Sequence, residues 1–232
     1  MAKKPTKKPD KKSGSRGLHV NVKTAKKRSN SSARWLARQL NDPYVTKAKQ
    51  EGYRSRAAFK LLDLDEKFHL LSPGMKIIDL GCAPGGWSQV AVAKVGASGK
   101  VVGCDLLDVP EIPGATLIVQ DFLADEAPQI MKDLLGGKAN LVMSDMAANT
   151  TGHTPTDHLR IMNLCEVAYY FACEILEQGG SFVCKVLKGG TESELLKLMQ
   201  RDFATVKHAK PKSSRADSAE SYVVAMGFRG AN

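Results

Sequence analysis

Four charged residues occupy positions where a folded chain favours apolar or purely structural side chains. Lys185 lies inside the apolar run 181–187, and Asp145 follows the run 139–144. Glu220 begins the last apolar run, and Lys60 belongs to a basic helix that precedes the sheet. Each residue taken singly also fits a snorkelling lysine, a helix cap or a surface carboxylate. A lysine in an internal strand is costly to bury without a partner, so two lysines with two carboxylates predict an active site.

A glycine-rich turn between the first strand and the next helix indicates a cofactor site. Its sequence, from residue 79 to residue 89, is DLGCAPGGWSQ. Glycines at such a turn let the backbone approach a ligand at the carboxyl ends of the strands. Asp105 ends the second strand, where it can accept both ribose hydroxyls, and Asp121 can accept from an adenine amino group. The predicted cofactor-binding residues are Asp79, Gly81, Gly85, Gly86, Trp87, Asp105, Asp121 and Asp145.

The composition of this turn favours S-adenosylmethionine over a nicotinamide cofactor. Ala83 and Pro84 stand where the dinucleotide pattern G-x-G-x-x-G needs glycine and a free N–H. No Gly-Lys-Ser/Thr follows, so the turn is not a Walker A loop. Asp79 is unfavourable for a diphosphate and suits the cationic methionyl group. The remaining alternative is a tight turn that binds no ligand.

Strands that alternate with helices predict an α/β, Rossmann-like fold with helices on both faces of a mostly parallel seven-stranded sheet. Together with the predicted S-adenosylmethionine site, this is expected to be a methyltransferase fold. The last two strands are joined by a short connection, which predicts an antiparallel strand at that edge. The predicted strands are Met75–Leu80, Lys100–Asp105, Thr116–Gln120, Ala139–Ser144, Gly180–Leu187, Phe203–Ala209 and Ser221–Phe228. The predicted helices are 33–40 with Ser32 as its cap, Ser55–Phe68, Trp87–Val95, Glu126–Leu135, His158–Glu177 and Glu192–Arg201.

The 232 residues suffice for one α/β domain and a tail. We predict a basic disordered tail over 1–30 and a single domain over 31–232, with a basic helical lead-in at 31–70 and the sheet core at 75–229. Five scattered cysteines without a C-x-x-C pair favour buried thiols in a reducing cytoplasm. No metal site is predicted. No apolar run approaches the roughly 20 residues of a membrane span, so no membrane partner is predicted.

The net charge of +10 is concentrated near the N-terminus. The first sixty residues contain 18 Lys and Arg but only three acidic residues. This distribution predicts a polyanionic partner, and Lys47, Lys49, Arg54 and Arg56 are predicted to contact RNA phosphates. A solubilising tail is the alternative for the first dozen residues. An anionic membrane is a weaker one, because no amphipathic helix with a broad apolar face accompanies the charges.

The glycine-rich turn and several shorter motifs resemble the FtsJ/RrmJ-type ribose 2′-O-methyltransferases. The match covers about residues 32–229, in order, and the Lys-rich extension before about residue 30 has no counterpart in the family core. The resemblance implies the catalytic set Lys60, Asp145, Lys185 and Glu220, in which Lys185 orients and activates a ribose hydroxyl. The segments that carry it are 56–61 (RAAFKL), 79–87 (DLGCAPGGW), 144–146 (SDM), Lys185 followed by Gly189, and 215–222 (RADSAESY).

Methyl transfer to a ribose hydroxyl requires alignment of oxygen, methyl and sulfur, and the hydroxyl proton must leave as the new bond forms. A neutral lysine could act as the base only with a pKa well below its ordinary value. Burial and Lys60 would lower the pKa of Lys185, whereas Asp145 and Glu220 would raise it. The sequence leaves this balance open. We expect Lys185 to be the principal group, with Asp145 positioning it and contacting the methyl donor.

Length and pattern resemble the bacterial large-subunit ribosomal RNA enzymes, which implies a uridine ribose of 23S ribosomal RNA in the 50S subunit as the target. The resemblance leaves open transfer RNA anticodon loops and messenger caps. A non-catalytic RNA-binding protein with a degenerate methyltransferase fold would be expected to lack the paired lysines and carboxylates. A small-molecule or protein methyltransferase would need neither the basic leading segment nor Lys185. The sequence predicts no protein partner.

Overall fold

The computed structural model describes residues 20–21, 24, 29–148, 151–187 and 193–230. Its residues divide into two units, Met1–Val45 and Thr46–Asn232. The predicted tail, residues 1–30, lies almost wholly outside the described residues. The predicted domain boundaries therefore stay predictions. Within the part of the chain that the structure describes, no helix is long and apolar enough to cross a membrane.

The first unit contains helix α1 (Asn30–Leu40). Its N-cap is Ser29, whose hydroxyl accepts a hydrogen bond from the Ser32 N–H at 3.3 Å. The prediction that Ser32 caps this helix is therefore wrong: Ser32 is inside the first turn and supplies the donor that a cap must satisfy. At the other end, the Asn41 amide donates to Ala37 O at 2.8 Å and closes the last turn.

The sheet and its helices follow in the order that the apolar runs predict. Helix α2, which the sequence analysis did not predict, and helix α3 come before the first strand. The elements are α2 (Pro43–Gln50), α3 (Ala57–Phe68), β1 (Lys76–Leu80), α4 (Gly86–Val95), β2 (Lys100–Asp105), β3 (Ala115–Val119), α5 (Ala127–Leu135), β4 (Ala139–Ser144), α6 (Thr154–Ile175), β5 (Leu176–Leu187), α7 (Ser193–Asp202), β6 (Phe203–Ala209) and β7 (Glu220–Phe228).

The seven strands form one sheet in the order β3-β2-β1-β4-β5-β7-β6. Strands β3, β2, β1, β4 and β5 pair in parallel, and β7 pairs antiparallel with both β5 and β6. The predicted mostly parallel sheet with antiparallel pairing at one edge is confirmed, and β7 lies one position in from that edge. Because chain order reverses between β1 and β4, their carboxyl ends flank the crevice where such sheets bind ligands.

Helices cover both faces of the sheet, as predicted. One hydrophobic cluster joins α5, α6 and α7 to the strands through buried residues such as Met131, Tyr169 and Met199. A second cluster joins α3 and α4 to the opposite face, with Leu61 and Val90 among its fully buried members. Burial on both faces explains why the central strands read as continuous apolar runs rather than alternating ones.

Helix α6 and strand β5 differ from their predicted bounds. The helix begins four residues earlier than predicted, because Pro155 is accommodated in the first turn, where a missing N–H costs no hydrogen bond. It ends at Ile175, and β5 starts at once, with Leu176 paired to Ala139. The register then shifts between Ala139 and Leu141. The strand thus passes through Gly179 and begins four residues before Gly180, where the sequence analysis predicted its start.

Asp65 connects the end of α3 by a hydrogen bond to the segment that leads into β1. Its carboxylate accepts hydrogen bonds from the Leu71 N–H at 2.9 Å and from Lys94 Nζ at 2.8 Å. The Asp65 side chain is 8% exposed, so its bond to Leu71 is shielded from water, whereas the Lys94 side chain is 46% exposed. The neighbouring Glu66 pairs with Lys212 at 2.8 Å, but both of those side chains are mostly exposed.

We therefore expect Asp65→Ala to lower the free energy of unfolding by about 1–3 kcal/mol, the usual cost of leaving buried partners without a hydrogen bond. Glu66→Ala is the matched control and should leave stability nearly unchanged, because exposed ion pairs contribute little. Chemical denaturation of the two variants measures the difference. Equal losses from both substitutions would contradict the role assigned to Asp65.

Candidate active site

Lys185 and Asp145 meet because β5 and β4 are neighbouring strands. Lys185 Nζ lies 2.9 Å from Asp145 Oδ1 and donates to the backbone oxygen of Asp145 at 2.7 Å. The Lys185 side chain is only 6% exposed. The structure thus places the carboxylate beside the lysine that the sequence singled out, at the open end of the strand where a buried charge can find a partner.

Lys60 and Glu220 join the same cluster from α3 and β7. Lys60 Nζ pairs with Glu220 Oε2 at 3.0 Å, and Glu220 Oε1 is 4.0 Å from Lys185 Nζ. The Tyr222 hydroxyl accepts from Lys60 Nζ at 3.2 Å and donates to Asp145 Oδ1 at 2.6 Å. These five residues form one closed network, called the lysine-carboxylate ring below: Lys60, Asp145, Lys185, Glu220 and Tyr222.

Charge pairing within this ring outweighs the cost of burial. Burial alone lowers the pKa of Lys185, but Asp145 and Glu220 together raise that pKa above its ordinary value. Burial alone would raise the pKa of Asp145, and the charges of Lys185 and Lys60 instead hold it below its ordinary value. The same two lysines lower the pKa of Glu220 against its burial. In the balance that the sequence left open, pairing with the two carboxylates therefore outweighs burial at Lys185.

A cavity of about 780 Å³ opens beside the ring at the carboxyl ends of the strands. This volume lies within the range of pockets that bind drug-sized ligands and cofactors. Gly81, Asp105, Asp121 and Asp145, all predicted from the sequence, are in its wall. The other lining residues are Ala83, Cys104, Leu106, Leu107, Gln120, Phe122, Leu123, Met146, Ala147, Ala148, Thr156, Leu159, Arg160, Asn163 and Leu164.

Asp105 and Asp121 each accept a backbone hydrogen bond from the loop that follows their own strand. Asp105 accepts from the N–H groups of Ala83 and Leu107, both at 2.9 Å. Asp121 accepts from the Leu123 N–H at 2.9 Å. These bonds hold both carboxylates at the cavity wall, where their remaining lone pairs can accept from a ligand.

Three glycines of the turn lie so close to neighbouring residues that a side chain would not fit there. Gly81 has a φ of +77°, and a Cβ there would lie 2.8 Å from Met146. A Cβ on Gly85 would lie 3.0 Å from Arg54 Nη1, and one on Gly86 would lie 2.5 Å from Ser55 Oγ. Gly85 and Gly86 therefore let the segment before α3 pack against the turn, and they are not among the cavity-lining residues.

Trp87 and Asp79 also support the turn from behind the cavity wall. Trp87 is buried, its indole N–H donates to Ala57 O at 2.8 Å, and its ring lies 5.6 Å from that of Tyr222. Asp79 is fully buried and accepts from the Ser88 hydroxyl at 2.6 Å. Burial raises the pKa of Asp79 to about 7, with a smaller opposing effect from Ser88. Direct cofactor contacts by these two residues stay predictions.

The four basic residues predicted to contact RNA fall into two pairs. Lys47 and Lys49 are exposed on α2, and Lys47 Nζ lies 3.7 Å from Glu51 and 4.6 Å from the Phe59 ring centre. Arg54 and Arg56 instead donate to backbone carbonyls of their own chain. The structure brings neither arginine into the lysine-carboxylate ring, and RNA contacts by any of the four stay predictions.

Sequence reasoning assigned no role to Tyr222 or to the first turns of α6. Tyr222 pairs directly with Lys185 in the β5–β7 register, so a buried tyrosine opposite a buried lysine was the available signal. Thr156, Leu159 and Asn163 line the cavity from α6. Leu106, Leu107, Leu123 and Leu159 line it too and are each at least half exposed, an unusual concentration of exposed leucine around one cavity.

The comparison with protein families decides the assignment. Residues 53–228 match the FtsJ-like methyltransferase family. The chain belongs to the FtsJ-like methyltransferase family. The matched range includes the glycine-rich turn and every member of the lysine-carboxylate ring.

Individual members of the family match over almost the whole chain. "Ribosomal RNA large subunit methyltransferase E" of Parvibaculum lavamentivorans is 60% identical over 227 residues, which cover 94% of this chain and 89% of that protein. The protein of the same name from a Ruegeria species is 55% identical over 238 residues and covers 99% and 100%. A crystal structure described as a ribosomal RNA methyltransferase from Plasmodium falciparum has a TM-score of 0.68 and 29% identity, and covers 77% of this chain and all of that one.

The raised pKa of Asp79 makes stability depend on pH. The folded protein binds this proton more tightly than the unfolded chain, whose pKa is near 3.8. The stability gained from protonation is therefore complete below that value and is lost as pH rises through about 7. We expect the cofactor-free wild type to lose thermal stability relative to Asp79→Asn between about pH 5 and pH 8, because asparagine cannot ionise.

Thermal unfolding curves of both proteins across this pH range make the measurement. Asp121→Asn is the control, since it removes an exposed carboxyl from the same end of the sheet. Parallel pH profiles for the wild type and Asp79→Asn would show that the Asp79 carboxyl does not titrate in this range.

Proposed function

We propose that this protein uses S-adenosylmethionine to methylate the 2′-hydroxyl of a uridine ribose in large-subunit ribosomal RNA, within an assembled or assembling 50S subunit. The observation that carries the proposal is the lysine-carboxylate ring beside a cavity of about 780 Å³ that Asp145 lines. The relatives named for ribosomal RNA large subunit methylation support the choice of substrate. Such a substrate implies a cytoplasmic location.

The cavity suits the proposed cofactor. Asp105 and Asp121 lie at the ends of β2 and β3, where they can accept from the ribose hydroxyls and the adenine amino group. Phe122 and the leucines of the wall offer apolar surface to an adenine ring. The close approach of Gly81 to Met146 leaves no room for a side chain at the turn. When bound, S-adenosylmethionine supplies a methyl group activated by a sulfonium charge.

In this proposal, Lys185 acts on the hydroxyl as an ammonium group. Its Nζ donates to two oxygens of Asp145, which fixes its position and leaves a third donor for the ribose oxygen. A fixed ammonium aligns that oxygen for in-line attack and stabilises the negative charge that develops on it. The hydroxyl proton leaves as the new bond forms and can be taken up by the neighbouring carboxylates, which are ionised in the free protein.

The other members of the ring hold this arrangement. Tyr222 and Lys60 both contact the carboxylates that pair with Lys185, so they limit the directions in which Asp145 and Glu220 can turn. Lys60 adds a second positive charge, which helps to lower the pKa of both carboxylates although they are partly buried. These different roles predict that loss of Lys185 abolishes methyl transfer, whereas substitution of Glu220 only slows it.

We expect Lys185→Ala to lower the rate of methyl transfer by about 100-fold or more, because the group that holds the hydroxyl is lost. Binding of S-adenosylmethionine should be largely retained. The measurement is transfer of labelled methyl groups to 50S subunits, free 23S RNA and transfer RNA from cells that lack the enzyme, with the labelled nucleotide mapped. Lys197→Ala, at an exposed lysine on α7, is the control.

Label on a 2′-O-methyluridine of the ribosomal substrate, lost in Lys185→Ala alone, supports the reaction and the target. Label on transfer RNA alone would keep the chemistry and replace the substrate. Full turnover by Lys185→Ala would remove the proposed role of the lysine. No transfer to any of the three RNAs, despite cofactor binding, would contradict the proposed activity on RNA.

The exposed lysines of α2 are proposed to follow RNA phosphates. Each phosphate contact that is lost should reduce the slope of log affinity against log salt concentration by about one unit. We therefore expect Lys47→Ala and Lys49→Ala each to weaken RNA binding without changing cofactor affinity. Filter binding over a range of salt concentrations measures both slopes, and unchanged slopes would place the RNA elsewhere on the surface.

A further inference from the structure

Arg54 binds two loops of its own chain through its guanidinium group. Nη1 donates to Pro110 O at 2.5 Å and approaches Pro84 O at 3.5 Å. Nη2 donates to Glu111 O at 2.7 Å. Pro84 belongs to the glycine-rich turn, whereas Pro110 and Glu111 belong to the loop 106–114 between β2 and β3. A planar guanidinium with several fixed donors can join carbonyls of two loops in this way, and a point-like ammonium cannot.

The backbone around Arg54 is itself tied to α4. The Arg54 N–H donates to Gln89 Oε1 at 2.8 Å, and Gln89 Nε2 donates to Gly52 O at 3.1 Å. Gly85 completes the contact, since a Cβ there would lie 2.8 Å from Ile112 of the same loop as well as against Arg54. Three segments thus meet at Arg54: the lead-in to α3, the glycine-rich turn and the loop 106–114.

The two loops that Arg54 joins form one side of the cavity. Ala83 lines it from the turn, and Leu106 and Leu107 line it from the loop. The loop contains Pro110 and Pro113, which have no N–H to donate. Arg54 donates hydrogen bonds to the carbonyls of this loop and is not itself among the cavity-lining residues.

We propose that Arg54 is a positioning residue for the cofactor and not a phosphate contact. It holds the loop 106–114 against the glycine-rich turn and so sets the place of the wall formed by Asp105, Leu106 and Leu107. The ligand's identity rests on the proposed function, but the joining of the two loops does not. Lys47 and Lys49, which are exposed, differ from Arg54 in this respect. RNA affinity and cofactor affinity should therefore respond to different basic residues.

The test uses Arg54→Lys and Arg54→Ala in the full chain, with two readouts that need no turnover. Binding of S-adenosylhomocysteine, the demethylated product, is measured by calorimetry without RNA. Amide hydrogen exchange over residues 106–114 is measured without any ligand. Arg54→Lys keeps the positive charge and the apolar stem, so it isolates the loss of the planar donors even where Arg54→Ala does not fold. Arg201→Ala, an exposed arginine on α7 that pairs with Asp202, is the matched control.

We expect Arg54→Lys to weaken S-adenosylhomocysteine binding by about tenfold or more, since hydrogen bonds from a charged group are lost. Exchange over 106–114 should accelerate, whereas RNA affinity should stay close to that of the wild type and Arg201→Ala should change neither readout. Unchanged affinity for S-adenosylhomocysteine together with weaker RNA binding would overturn the proposal and would support Arg54 as an RNA contact. If the wild type does not bind S-adenosylhomocysteine, the cofactor assignment fails, and faster exchange in Arg54→Lys still supports the joining of the loops while unchanged exchange rejects it.

Discussion

The structure depends on the burial of one ammonium group, Lys185, in a central strand. A buried positive charge is tolerated only with partners that are themselves fixed, and Asp145 and Glu220 supply them at 2.9 Å and 4.0 Å. These carboxylates are in turn held by Lys60 and Tyr222. The antiparallel strand β7 meets part of this requirement, because its place beside β5 brings Tyr222 opposite Lys185 and Glu220 opposite Leu187.

Balanced charge gives the ring a function that a single lysine would lack. Two lysines and two carboxylates compensate one another, which holds the pKa of Asp145 and of Glu220 below its ordinary value and that of Lys185 above it. A donor that is charged and fixed before the substrate arrives needs little reorganisation as negative charge develops on the attacking oxygen. In the proposed reaction, the fixed contacts of Lys185 with Asp145 and its raised pKa therefore favour orientation and electrostatic stabilisation over proton removal by a neutral amine.

The sequence predicted most of the sheet because its strands are buried on both faces and read as plain apolar runs. Strands β2, β4 and β6 were predicted to the residue, and Lys185 with Asp145 stood out as charges within or beside such runs. The places of Trp87 and Arg54 could not be predicted in this way. Each is determined by partners far along the chain, Ala57 for the indole and Pro110 for the guanidinium, which no local pattern encodes.

The glycine-rich turn connects the cavity with the segment that leads into α3, because its glycines lie against residues of both. Gly81 approaches Met146 beside the cavity, whereas Gly85 and Gly86 admit Arg54 and Ser55 from the lead-in to α3. The helix that carries Lys60 is thereby packed directly against the turn. The glycines that predicted a cofactor site in the sequence thus also fix the distance between the cavity and the lysine-carboxylate ring.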